Sequence, residues 1–197
     1  MNTRKGQKKQ AIYNAVCTLW QRERNFDALT VQRIAQEAGI GKGTVYEYFK
    51  SREELLAETV ANEMRRCADA VQQAVEDAET YEEKLAVLLK VADDFLRLQT
   101  LGIQAIASYL RDGNELPPLC DSPLWTDLAR REDDVLLAVL RCGAAEGKLT
   151  GIQEESRRLL ALRSLLYGYV AARRRAPGCC AGELKKDMLA LLRQTLG

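Results

Sequence analysis

Apolar residues recur at helical spacing along almost the whole chain, and no stretch alternates as a strand would. From Gln7 to Arg24, Ile12, Ala15, Val16, Leu19 and Trp20 fall at i, i+3, i+4, i+7 and i+8, one face of an amphipathic helix. Thr30 stands where an N-cap belongs, before a short helix with Val31, Ile34, Ala35 and Ala38 on its buried side and Gly39 at its end. A third short helix is expected from Lys42 to Phe49, with Gly41 at its cap. Ser51 and Glu54 have the spacing of a capping box and open a long helix that Leu55, Leu56, Val60, Met64, Cys67, Val71 and Val75 carry to about Ala78.

Thr80 and Glu83 repeat that box ahead of Leu85, Leu88, Ala92, Phe95 and Leu96. Gly102 separates this helix from a short one holding Ile103, Ile106, Ala107 and Leu110, and residues 111–123 read as the principal loop. Pro123 at a first helical position starts a helix that stops at Gly147. From Gln153 to Arg175 apolar residues cover most of the circumference, which requires burial on more than one side. Pro177 and Gly178 end it, and a last amphipathic helix uses Leu184, Met188, Leu191, Leu192 and Leu196. The expectation is an all-α chain of nine helices.

Composition narrows the chemistry. Of 197 residues, 47% are apolar, 29% charged and four are proline, which suits a soluble globular chain of one or two domains. The net charge is +1, yet it divides unevenly. Residues 1–50 hold nine basic side chains (Arg4, Lys5, Lys8, Lys9, Arg22, Arg24, Arg33, Lys42, Lys50) and four acidic ones (Glu23, Asp27, Glu37, Glu47), a balance of +5; the remainder stands at −4. A small basic head before a mildly acidic body is the pattern of a nucleic-acid-binding regulator, and equally of a chain with a solvated charged face. There is no histidine, so the usual general base and the commonest nitrogen metal ligand are missing. An enzyme is therefore not expected, nor a metal or cofactor. The polar start and the lack of a long apolar run point to a cytoplasmic chain without a membrane segment. Its six cysteines then read as free thiols.

Two short helices with a glycine turn behind a longer first helix form the helix-turn-helix arrangement, in which the second short helix enters the major groove and the first braces it. Residues 30–49, TVQRIAQEAGIGKGTVYEYF, followed by KSREELL, resemble the tetracycline-repressor (TetR) family of bacterial transcriptional regulators. The resemblance implies a two-domain architecture: a three-helix head at 1–50 and an effector-binding and dimerisation body at 51–197, with the helix at about 51–78 connecting them. It puts Lys42, Gly43, Thr44, Tyr46 and Tyr48 on the DNA side, Gln32 at a base or phosphate, and Thr30, Lys50 and Arg52 on phosphates. The chemistry suits those roles: phenol hydroxyls and ammonium groups reach phosphates, ring edges meet thymine methyls, and Gly43 lets backbone come close. Val45 and Phe49 read as core. Tyr48 is open to half-buried packing, Lys8 and Lys9 to either a solvated arm or a groove contact, and Glu47 to either solvent or a cytosine amino group.

The helix apolar nearly all round and the terminal helix are the natural dimer surface, through Leu159, Leu162, Leu166, Val170, Leu184, Met188, Leu191 and Leu192, the alternative being a thick core within one copy. The resemblance implies the same, a four-helix bundle between two copies that sets two heads on a palindromic operator in double-stranded DNA. It also implies a small effector among the body helices. Phe95, Ile103, Ile106, Tyr109, Leu110, Trp125, Leu128 and Tyr167 are candidate lining, equally readable as core, and they suit a hydrophobic or aromatic compound. Effector binding would then tilt the connecting helix and release a repressor from DNA. An alternative trigger is thiol oxidation at the adjacent Cys179 and Cys180, close to the cations Arg173, Arg174 and Arg175.

Overall fold

The computed structural model describes residues 2–98, 123–175 and 181–197. Among these residues every regular element is a helix: α1 (Asn2–Glu23), a 3-10 turn (Phe26–Ala28), α2 (Val31–Glu37), α3 (Lys42–Tyr46), α4 (Arg52–Asp77), α5 (Tyr81–Leu98), α6 (Pro123–Ala145), α7 (Glu155–Arg175) and α8 (Ala181–Leu196). The all-α expectation holds for them, with eight α-helices. The short helix expected around Ile103 to Leu110 lies outside the described residues. Two element boundaries differ by three residues or more from those expected. Helix α1 begins five residues earlier, at Asn2, and α3 ends at Tyr46 rather than Phe49. The chain divides into two compact units, the first including residues 1–66 and the second residues 67–97 and 126–197.

The first unit closes on one apolar core of Ile12, Val16 and Leu19 from α1, Ile34 from α2, Val45 and Phe49 around α3, and Leu55, Leu56 and Val60 from α4. Local chemistry sets where its helices stop. After α1, Arg24 takes a left-handed conformation (φ 51°) and its N–H donates to the Trp20 carbonyl (2.9 Å). Helix α2 ends in a Schellman motif: Gly39 at φ 68° donates to Gln36 O (3.1 Å), and Ile40 N–H reaches back to Ala35 O (3.0 Å). At the other end Thr30 Oγ1 accepts from Arg33 N (3.3 Å). The Ser51 capping box forms as spaced, with Glu54 N donating to Ser51 Oγ (3.1 Å) and the Glu54 carboxylate accepting from Lys50 N.

The second unit has its own core, in which Val75, Leu85, Leu88 and Leu89 meet Val135, Leu136, Val139 and Leu140, closed by Leu162, Tyr169, Met188, Leu192 and Leu196. Lys84 Nζ donates to the carbonyls of Val75 (2.5 Å) and Ala78 (2.6 Å), a cationic cap on the last turn of α4. The Thr80 box is also present, and the Glu83 carboxylate, accepting from the N–H groups of Glu79 and Thr80, is held below the usual carboxylate range by these bonds. Helix α6 ends in a second Schellman motif at Gly147 (φ 69°), with Lys148 N–H on Gly143 O (2.9 Å).

A Cβ at Gly39 would meet nothing within 4 Å, so the residue is required by its φ alone. Gly39→Ala is expected to destabilise the chain by about 1–2 kcal/mol, seen as a lower urea midpoint in helical circular dichroism. Gly39→Asn, which tolerates the left-handed region, is expected to lose less.

Candidate nucleic-acid interface

Gly41 caps α3 with extended backbone (φ −73°, ψ 147°) and no side-chain hydrogen bond, so only its carbonyl, accepting from Thr44 N (3.0 Å), starts the helix. After Tyr46 the chain tightens into a turn, with Glu47 N on Thr44 O (3.2 Å) and Tyr48 N on Val45 O (3.0 Å). Val45 and Phe49, four apart, are each 1% exposed and anchor this segment in the core. That anchoring turns Lys42, Gly43 and Tyr46 outward. Tyr46 is 50% exposed, with Lys42 Nζ 6.0 Å from its ring centroid. Thr44 is half-buried, and so is Tyr48, which packs on the core beside Phe49 (centroids 6.3 Å apart).

On the bracing side, Gln32 is exposed in the first turn of α2. Thr30 is exposed too; its oxygen caps α2, and its hydroxyl proton remains to donate. Lys50 is exposed at the entry to α4. Arg52 differs from its expected place on a phosphate. Its Nε donates to Leu29 O (2.8 Å) and its Nη2 to Phe26 O (2.6 Å), tying the first turn of α4 to the chain just before α2. The planar guanidinium bridges the Leu29 carbonyl and the Phe26 carbonyl, the latter also accepting from Leu29 N (3.0 Å) in the 3-10 turn, a geometry invisible in sequence spacing.

Arg33 and Arg22 are likewise engaged, on Glu23 and Glu37 (Arg22 Nη2 to Glu37, 2.9 Å), which braces the end of α1 against α2. The paired guanidinium lowers the Glu23 pKa, and the carboxylate raises that of Arg33. Among the described residues Lys5, Lys8, Lys42 and Lys50 are exposed and have no carboxylate partner, so each presents its positive charge to solvent.

The expected dimer residues do not share one face. Leu162, Met188 and Leu192 are closed in the second unit's own core, and Leu159, Leu166, Val170 and Leu184 are half-buried against it. Leu191 is 48% exposed, together with Leu160 at 63%, which the sequence reading missed. The missed signal is the register Leu160, Ser164, Tyr167, Gly168 and Ala171, all exposed along α7. Helix α7 is instead tied inward by two clusters. Tyr167 OH donates to Glu132 (2.9 Å), with Arg163 beside it, and Tyr169 OH donates to Asp93 (2.9 Å), with Arg173 beside that.

Of the expected effector lining, Leu128 is half-buried on α6, and Tyr167 is mostly exposed apart from its bond to Glu132. Phe95 and Trp125 lie on α5 and α6, but their side chains are outside the described residues, as are Ile103, Ile106, Tyr109 and Leu110. A cavity of about 250 Å³ in the second unit is lined by other residues, among them Tyr81, Leu85, Lys148, Leu189 and Arg193. Cys179 and Cys180 also lie outside the described residues. Burial pushes the Cys17 thiol up to about 11, and burial with the Glu146 carboxylate raises Cys142, so neither has the depressed pKa of a reactive thiol. No helix among the described residues is long and apolar enough to cross a membrane.

Removing the Arg52 guanidinium takes that donor from the part-buried Leu29 carbonyl and leaves Phe26 O with Leu29 N alone, so Arg52→Ala is expected to destabilise the chain by about 1–3 kcal/mol in urea unfolding. Arg52→Lys, a point donor that cannot bridge both carbonyls, is expected to recover only part of that loss.

Residues 21–59 match the family of bacterial regulatory proteins described as the tetR family. Over 67 residues the chain is 30% identical to the fatty acid metabolism regulator protein of Bacillus subtilis (strain 168); the match covers 34% of each chain, so it spans about a third of that relative's length. Solved structures extend the likeness along the chain. FadR from Bacillus subtilis, in complex with stearoyl-CoA, has a TM-score of 0.60 at 20% identity, covering 95% of this chain and 99% of that one. A TetR family transcription regulator from Marinobacter aquaeolei VT8 has a TM-score of 0.57 at 17% identity, covering 100% and 98%. At these identities the shared property is the fold. Residues 21–59 thus match the helix-turn-helix head of the tetR family, and over its described residues the chain shares the all-helical fold of these structures, so it is similar to the bacterial TetR-family regulators.

Proposed function

We propose that the chain is a dimeric, ligand-responsive transcriptional regulator, acting as a repressor on a palindromic operator. The observation that carries this reading is the orientation of α3: Val45 and Phe49 are locked in the core, and Lys42, Gly43 and Tyr46 are turned outward with an ammonium that has no acid partner among the described residues. In this reading Lys42, Thr44 and Tyr46 meet base edges and phosphates, Gln32 and Thr30 contact the adjoining strand, and Lys50 and the half-buried Tyr48 hold phosphates. Arg52 acts indirectly, by fixing α4 against the helix-turn-helix.

One five-residue helix reads too few base pairs, so two heads are needed about one helical turn of DNA (roughly 34–36 Å) apart. The exposed Leu160 and Leu191 supply apolar surface for pairing through α7 and α8. The effector is a hydrophobic compound, and the fatty-acid regulators among the relatives favour a long acyl chain over an aromatic ring. Helix α4 carries the signal, because Leu55, Leu56 and Val60 belong to the first core and Val75 to the second. The coupling is expected at about 1–3 kcal/mol.

A mobility-shift assay with the DNA flanking the chain's own gene tests the reading. Lys42→Ala with Tyr46→Ala is expected to weaken the specific complex at least about tenfold, since a good base contact is worth about 1–3 kcal/mol. Stearoyl-CoA added to the wild-type complex is expected to release it. Unchanged binding by the double variant would sink the DNA-reading role of α3, and indifference to the acyl thioester would remove that effector class.

Gly43 gives a second test. A Cβ there would meet nothing within 4 Å in the chain itself, so Gly43→Ala is expected to stabilise the chain by about 0.5–1 kcal/mol. If backbone at Gly43 approaches DNA closely, the same substitution weakens binding. More stability with undiminished binding would contradict that approach.

A further inference from the structure

The exposed positive charge of the head is not confined to α3. Because α1 begins at Asn2, Lys5, Lys8 and Lys9 stand on helical turns at i, i+3 and i+4, which form one side of a helix. Their surroundings separate them. Lys9 Nζ lies 2.5 Å from the Glu58 carboxylate and stands over the ring of Phe49 (5.3 Å to the centroid), so it is tied inside the head. Lys5 and Lys8 are exposed, and neither has a carboxylate partner among the described residues. Lys5 Nζ stands 5.8 Å from the centroid of Tyr48, at the carboxyl end of the α3 turn.

That position has an electrostatic consequence. An ammonium at this distance from Tyr48 is well inside the roughly 8 Å screening length of physiological salt, so it shares the field of any phosphate that Tyr48 reaches. The ring beneath it also limits the freedom its long side chain loses on contact. Lys8, one turn further along α1, extends the same positive edge. We propose that the first turns of α1 are part of the nucleic-acid surface, with Lys5 and Lys8 as phosphate contacts flanking those of α3. This rests on the head binding duplex DNA, and it separates Lys5 and Lys8 from Lys9, whose charge is neutralised by Glu58.

The test is the salt dependence of binding of the full chain to a fluorescent duplex of mixed sequence, followed by anisotropy. Each phosphate contact contributes roughly 0.9 to the slope of log K against log salt. Lys5→Gln with Lys8→Gln is expected to lower the slope by roughly 1.8 per bound head, while helicity and thermal midpoint stay as in the wild type. Lys5→Arg with Lys8→Arg, which keeps the charge, is expected to retain the slope. An unchanged slope in the glutamine variant overturns the proposal while leaving DNA binding intact. Absence of salt-dependent binding by the wild-type chain itself would instead remove the DNA-binding reading on which the proposal stands.

Discussion

The burial of Val45 and Phe49 is the contact on which the head depends. A helix of five residues has no stability of its own in water, because the cost of nucleation exceeds what one turn of hydrogen bonds returns. Helix α3 exists because Val45 within it and Phe49 just after it enter a core formed with Ile12, Val16, Ile34, Leu55 and Leu56. Each such burial is worth about 1.5–3 kcal/mol. The same contact sets direction, because locking residues 45 and 49 inward leaves residues 42, 43 and 46 no orientation except outward.

Around that anchor, backbone chemistry does more than surface charge. The Schellman motif at Gly39 fixes the angle at which the chain leaves α2, and Arg52 holds the start of α4 to the Phe26 and Leu29 carbonyls. By contrast the pairs Arg22–Glu37 and Arg33–Glu23 are solvent-exposed and belong to a class worth about 0–1 kcal/mol each. They favour one arrangement of α1 and α2 without being what stabilises it.

In the second unit α7 shows how a helix apolar nearly all round is accommodated. Leu162 and Tyr169 face the core, Leu160 faces outward, and the phenols of Tyr167 and Tyr169 are satisfied by Glu132 and Asp93 on α6 and α5. The pairs Arg163–Tyr167 and Tyr169–Arg173 share the i, i+4 spacing, so each acid meets a phenol and a guanidinium from one side of the helix. The Tyr169 pKa is raised by burial and by the carboxylate that accepts its proton, so the phenol remains a donor.

Local rules were legible in the sequence because they depend on neighbours in the chain. The helical period, the Thr30 cap, the Ser51 and Thr80 boxes, and the glycines at 39 and 147 were readable for that reason, as was the inward pair Val45 and Phe49. What depended on distant partners was not. The resemblance put Arg52 on a phosphate, whereas the fold supplied two carbonyls more than twenty residues back in the chain. Spacing also grouped Leu162, Met188 and Leu192 as a dimer face, while packing enclosed them and left Leu160 outside. A helix with apolar residues on several sides does not encode which side meets its own core; the volumes of its neighbours decide that.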